Sequence, residues 1–120
     1  MVAAVRSPGV HILGHPRGRK YGSRPGVTAD WDEVFAAART ANVAIEIDGD
    51  PSPQDVDYEL AKRAVDAGCL FALDSDAHST AELAYSETAI AHARLAGVPP
   101  DRVVNCWPTD KLLAWLARSG

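Results

Sequence analysis

The chain has 120 residues, a net charge of −4 and an apolar fraction of 47%. That is enough for one packed domain but only about half of a typical closed (β/α)8 barrel. The acidic balance argues against tight, non-specific binding to duplex DNA. Two cysteines do not make a disulfide framework, no stretch approaches a membrane-spanning length, and the N-terminus lacks the apolar core of a signal peptide. Free thiols and these absences lead us to expect a cytoplasmic protein with no membrane partner.

In chain order, the first residues read as the tail of a helix. Val10–Leu13 is a short apolar run that ends at Gly14-His15-Pro16. A loop rich in Gly, Arg and Pro follows to Val27, and its Arg17, Arg19, Lys20 and Arg24 form a basic cluster suited to phosphate. A solvated surface loop explains the same cluster equally well. Asp30 and Glu33 resemble a capping box, opening a helix with Val34, Phe35 and Ala38 on one face. Val43–Ile47 reads as a strand ending at Asp48-Gly49-Asp50-Pro51. The next helix presents Leu60, Ala61, Ala64 and Val65 and stops at Gly68.

Cys69–Leu73 reads as the third strand, delivering Asp76-Ala77-His78-Ser79 at its C-terminal end. Strand alternation would point Asp76 and His78 to the same side, where a carboxylate and an imidazole can chelate a divalent metal. The plainer explanation is that Asp76 caps the next helix and His78 bonds locally. A helix capped by Ser79 or Thr80, broken near Ser86, runs to Gly97. Val103–Asn105 reads as a fourth strand, and Pro108 or Thr109 opens a last helix with Leu112, Leu113 and Leu116 buried and Trp115 flanking them. Cys106, at a strand end with no local base, reads as a buried, inert thiol. His11 and His92 read as structural.

The alternation of β and α units predicts an α/β fold with a parallel sheet covered on both faces. Ligands gather at the carboxyl ends of such strands. His15, Asp48, Asp76, His78 and Asn105 all fall there in this reading, with no comparable cluster at the other ends. No Gly-x-Gly-x-x-Gly or P-loop motif supports a nucleotide binder.

Four motifs in order also resemble the C-terminal half of a PHP (polymerase and histidinol phosphatase) domain, most of all the PHP module of bacterial family X DNA polymerases. They are Ile12-Leu13-Gly14-His15-Pro16 with Gly18-Arg19, Ala44-Ile45-Glu46-Ile47-Asp48, Asp74-Ser75-Asp76-Ala77-His78-Ser79, and Val103–Pro108 with Leu112–Leu116. The resemblance implies part of a distorted (β/α)7 barrel, with residues 1–120 as a single partial domain. It implies metal-dependent phosphoester hydrolysis, as a phosphatase or a DNA 3′-end exonuclease, using zinc, manganese or iron. By the same resemblance His15, Asp76 and His78 are metal ligands, with Asp76 and His78 catalytic, and Arg17 and Arg19 meet the substrate phosphate. Asp48 stands where the family usually has Asn; it either stays a hydrogen-bonding group at the rim or adds a charge that alters metal affinity. The family's earlier His-x-His, Glu and His ligands have no counterpart before His15. Half a barrel is therefore expected to need a separate N-terminal half, or a second copy of itself, to complete the site. The alternative is a non-catalytic interaction module.

Overall fold

A computed structural model describes residues 1–18, 25–52 and 55–118. The basic cluster beyond Gly18, including Arg19, Lys20 and Arg24, lies outside them. Three strands form one parallel sheet in the order β1 (Ile12–Leu13), β2 (Ala44–Asp48) and β3 (Leu70–Asp74). A short helix α1 (Val2–Val5) precedes β1; α2 (Trp31–Ala41) and α3 (Tyr58–Ala67) connect the strands. A 3-10 turn (Ala81–Tyr85) leads into α4 (Ser86–Ala96), and α5 (Thr109–Ala117) closes the chain. The α/β fold with a small parallel sheet is the one expected, and it is consistent with a fragment of a TIM-like barrel.

Local chemistry sets the helix boundaries. Asp30 accepts a hydrogen bond from the Glu33 N–H at 3.1 Å, and Asp57 accepts one from the Leu60 N–H at 2.9 Å. Each satisfies a backbone donor that the first turn leaves open. Gly68 and Gly97 end α3 and α4 in the left-handed conformation.

The two faces of the sheet differ. Ile45, Ile47 and Phe71 are fully buried in one core with Phe35, Ala38, Ala61, Ala64 and Ala89 from α2, α3 and α4. The opposite face carries Ala44, Glu46 and Asp48 along β2, in register with Leu70, Ala72 and Asp74 along β3. At the strands' N-terminal ends this face is covered by Val104 and Trp115. Toward the C-terminal ends it is carboxylic.

Three expectations require correction. The fourth strand is reduced to a single parallel bridge between Val103 and Phe71, and Val104–Cys106 is a 3-10 turn. The Asn105 side chain replaces the missing ladder: its Oδ1 accepts from the Leu73 N–H and its Nδ2 donates to the Leu73 carbonyl, both at 2.9 Å. Cys106 is exposed rather than buried, whereas Cys69 is buried, and burial pushes its thiol up to about 11. In α5 Leu112 packs against the core as expected, but Trp115 takes the place expected of Leu113 and Leu116. Trp115 is only 6% exposed and donates its indole N–H to the Asn42 carbonyl at 2.9 Å, while Leu113 and Leu116 are 58% and 43% exposed. The indole pairs that hydrogen bond with an apolar ring that packs over Ala44 and Ala72.

Candidate metal centre

β1 ends and the chain turns sharply. His15 has φ 45°, and the Gly18 N–H donates to its carbonyl at 3.1 Å. Asp76 has φ 48°. Left-handed backbone is uncommon for residues with a Cβ, although Asp and His adopt it more readily than most. Such strain persists only where the surroundings impose it, and it clusters at functional sites. Two of the three such positions among the described residues belong to one group of ligand-type side chains. In that group one ligand atom each from His15, Asp48 and Asp76 lies within 4.8 Å of the others.

Asp48 ends β2 on the carboxylic face and is 2% exposed. Its Oδ1 accepts from the Asp50 N–H at 2.8 Å. Its Oδ2 is buried with no hydrogen-bond partner among the described residues, 3.5 Å from His15 Nδ1. A buried carboxylate oxygen left without a partner costs free energy unless a cation or a proton satisfies it. Burial pushes the Asp48 carboxyl up to about 6, with Asp76 and Asp74 adding to the rise against the Asp50 bond and His15.

Glu46, one turn of alternation below, accepts a hydrogen bond from the His15 backbone N–H at 2.6 Å. Burial, and a hydrogen bond shared with Asp74, push Glu46 up to about 8. A second carboxyl this close opposes ionisation of Glu46, which is the direction of its shift. His15 Nδ1 lies 2.9 Å from Asp55 Oδ2. Burial lowers the His15 pKa most, but the Asp55 hydrogen bond and the charges of Glu46, Asp55 and Asp48 outweigh it, so the net shift is upward.

Asp76 and His78 do not alternate along a strand as expected. β3 ends at Asp74, and the left-handed turn at Asp76 lies in the following loop. Asp76 joins the group; His78 lies outside it, exposed, with Nδ1 2.6 Å from the Asp76 carbonyl. Arg17 forms an ion pair with Asp57 at 3.2 Å. It lines a cleft of about 420 Å³ with Trp31, Asp57, Glu59, Leu60 and Arg63, a set that does not include the three clustered residues. Arg19 lies outside the described residues. His11 packs edge-on against Trp115 and His92 sits within α4, so both are away from the group.

Asp55 escaped the sequence analysis. It follows Pro51-Ser52-Pro53-Gln54 in the chain rather than an apolar run, and carries no spacing signal. Glu46 and Asp74 stood in the sequence only within the motifs of the resemblance; the pairing of Asp74 with Asp48, and the alternation of Glu46 with Asp48 along β2, are what put them beside Asp48.

The donor set of one imidazole and two carboxylates, with a buried oxygen lacking a partner, fits a divalent cation. No protein-family model matches the chain. It is 29% identical over 116 residues, 97% of its length, to the DNA polymerase/3′-5′ exonuclease PolX of Bacillus subtilis, of which it covers 20%. It is 31% identical over 126 aligned positions, spanning all of the chain, to the probable phosphatase YcdX of Escherichia coli K12, of which it covers 49%. A probable phosphatase YcdX of Shigella dysenteriae is 30% identical over the same span.

The chain has a PHP-domain-like fold. This PHP-like chain is related both to the polymerase and to the phosphatases, and neither stands out as the nearer. It spans half or less of the length of these relatives.

Proposed function

We propose that the chain carries part of a metal-dependent phosphoesterase centre of PHP type, in which His15, Asp48 and Asp76 hold a divalent cation at the carboxyl rim of the sheet. The buried Asp48 Oδ2, without a hydrogen-bond partner among the described residues and beside His15 and Asp76, carries this reading. A bound zinc, manganese or iron ion would supply Lewis acidity toward a phosphoryl oxygen and an activated water. The chain's own part is to hold the ligands in place, with Glu46 accepting from the His15 backbone N–H and lying against Asp74 beneath them.

His78 is the resemblance's neighbouring ligand and, with Asp76, its catalytic residue. Here a ligand role through Nδ1 requires its bond to the Asp76 carbonyl to break. Arg17 would leave Asp57 to reach a phosphate; Arg19 follows it in sequence. The related polymerase-exonuclease and phosphatases support a phosphoester substrate, either a nucleic-acid 3′ end or a small monoester.

Three ligands hold one ion and do not build a multi-metal cluster, so in this reading hydrolysis needs residues from a separate N-terminal half or a second copy, and residues 1–120 act as one partial domain. The same shortage favours the second reading, a non-catalytic interaction module.

The test is hydrolysis of p-nitrophenyl phosphate and of a 3′-labelled oligonucleotide. It uses the chain with manganese or zinc, alone and with the N-terminal half of a related phosphatase. Metal-dependent turnover that Asp76→Ala lowers at least about 100-fold is expected, since a lost metal ligand removes the Lewis acid. Absence of turnover in every combination overturns the enzyme and leaves the interaction module.

A further inference from the structure

Asp55 is a carboxylate held in place from both sides. It is 2% exposed, Val56 beside it is in the core at 1%, and Asp57 is the N-cap of α3. Its Oδ2 meets His15 Nδ1 at 2.9 Å, and two residues further along each segment Arg17 meets Asp57 at 3.2 Å. These two rungs fasten the turn after β1 to the start of α3. The His15 backbone is fixed separately, through its N–H to Glu46. The ring itself remains 53% exposed. The side chains facing Nδ1 are carboxyls: Asp55 at 2.9 Å, Asp48 at 3.5 Å and Glu46 at 3.9 Å.

We propose that Asp55 is a positioning residue: it accepts a hydrogen bond from the His15 Nδ1–H and so leaves the Nε2 lone pair for a divalent cation. This rests on the metal-site reading above. A neutral imidazole has one N–H and one lone pair, and an ionised carboxylate only accepts. The nitrogen facing Asp55 therefore carries the hydrogen, and the other nitrogen is the ligand. Without Asp55 the next carboxyls from Nδ1 among the described residues are Asp48 at 3.5 Å and Glu46 at 3.9 Å, too far to hold the hydrogen as firmly, and the ring would exchange between tautomers. A carboxylate behind a ligating imidazole also raises its basicity, and removing such a partner typically weakens metal binding about 10- to 100-fold.

The test uses the full chain with labelled histidine. Long-range proton–nitrogen NMR, at a pH where the imidazole is neutral and without metal, reads the tautomer; His15→Gln assigns the signals. The expected result is a protonated Nδ1 and a lone-pair Nε2 in the native chain. In Asp55→Ala a mixed tautomer is expected, with zinc affinity in a competition titration falling about 10- to 100-fold. Asp55→Asn, nearly isosteric and still able to accept through its amide oxygen, should keep the tautomer and lose less affinity. A lone pair at Nδ1 in the native chain overturns the proposal. So does zinc binding by both variants within twofold of the native chain. A native chain that shows the expected tautomer but binds no zinc overturns the metal reading, and with it the ligand role given to Nε2.

Discussion

At the scale of single residues, Asp48 does two opposed things. In the proposed centre it supplies a ligand oxygen, and it adds a carboxyl to a rim that already holds Glu46, Asp74 and Asp76. Glu46 is pushed from an ordinary 4.5 up to about 8, and Asp48 from 3.8 up to about 6. Over that window the folded chain binds more protons than the unfolded chain. The favourable contribution of the cluster is therefore full below the ordinary carboxyl range and is lost as pH rises through about 6 and then about 8. The upward shift of His15 acts in the same direction. The metal-free chain should thus show a lower urea midpoint at pH 8 than at pH 5. Asp48→Asn should flatten that slope and raise stability at pH 8 by about 1 kcal/mol, while weakening metal binding. Equal midpoints in the native chain at the two pH values would contradict this.

At the scale of elements, the strand ends are brought together by close backbone approach. The Gly49 N–H donates to the Asp74 carbonyl at 2.8 Å, and a Cβ on Gly49 would lie 2.0 Å from the Tyr85 carbonyl oxygen. Only glycine lets the 3-10 turn before α4 lie over the end of β2. Gly49→Ala should cost about 1–3 kcal/mol, the usual range for forcing atoms into a packed site, and should also reduce metal affinity by displacing Asp48. Chemical denaturation and a metal titration of the same variant check both. Much at this scale was legible: Asp30, Gly68 and Gly97 announce their helix ends because capping is local chemistry. Asp57 does the same for α3 once the helix start is known. The fourth strand was not, because an Asn105 side chain can supply the bonds that a strand would, and its pattern of apolar residues is the same in either case. Trp115 misled for a related reason. Its burial comes from a carbonyl at Asn42, far away in sequence, which periodicity does not show.

At the scale of the molecule, the sheet has one face closed by three helices and another that ends in acids. The sequence pointed to His15 and Asp76 as candidate ligands and left Asp48 open, because the burial that leaves its Oδ2 without a hydrogen-bond partner among the described residues exists only after β2 and β3 pair. Asp55 was hidden because its partner lies forty positions away. Within the described residues no helix is long and apolar enough to cross a membrane. The exposed Ile12 lies on edge strand β1, whose outer side has no strand partner among the described residues. An unpaired edge of this kind is where another strand can add. That is where a completing half or a second copy would be accommodated in the proposed enzyme.

The central claim is that His15, Asp48 and Asp76 bind a divalent cation, and metal stoichiometry tests it most directly. The full chain, loaded with zinc or manganese and freed of excess by gel filtration, should retain about one ion per chain by plasma mass spectrometry, as a single mononuclear site requires. Asp76→Ala should retain almost none while keeping its circular dichroism spectrum. A well-folded native chain that holds no metal, or an Asp76→Ala variant that holds as much as the native chain, would contradict the account.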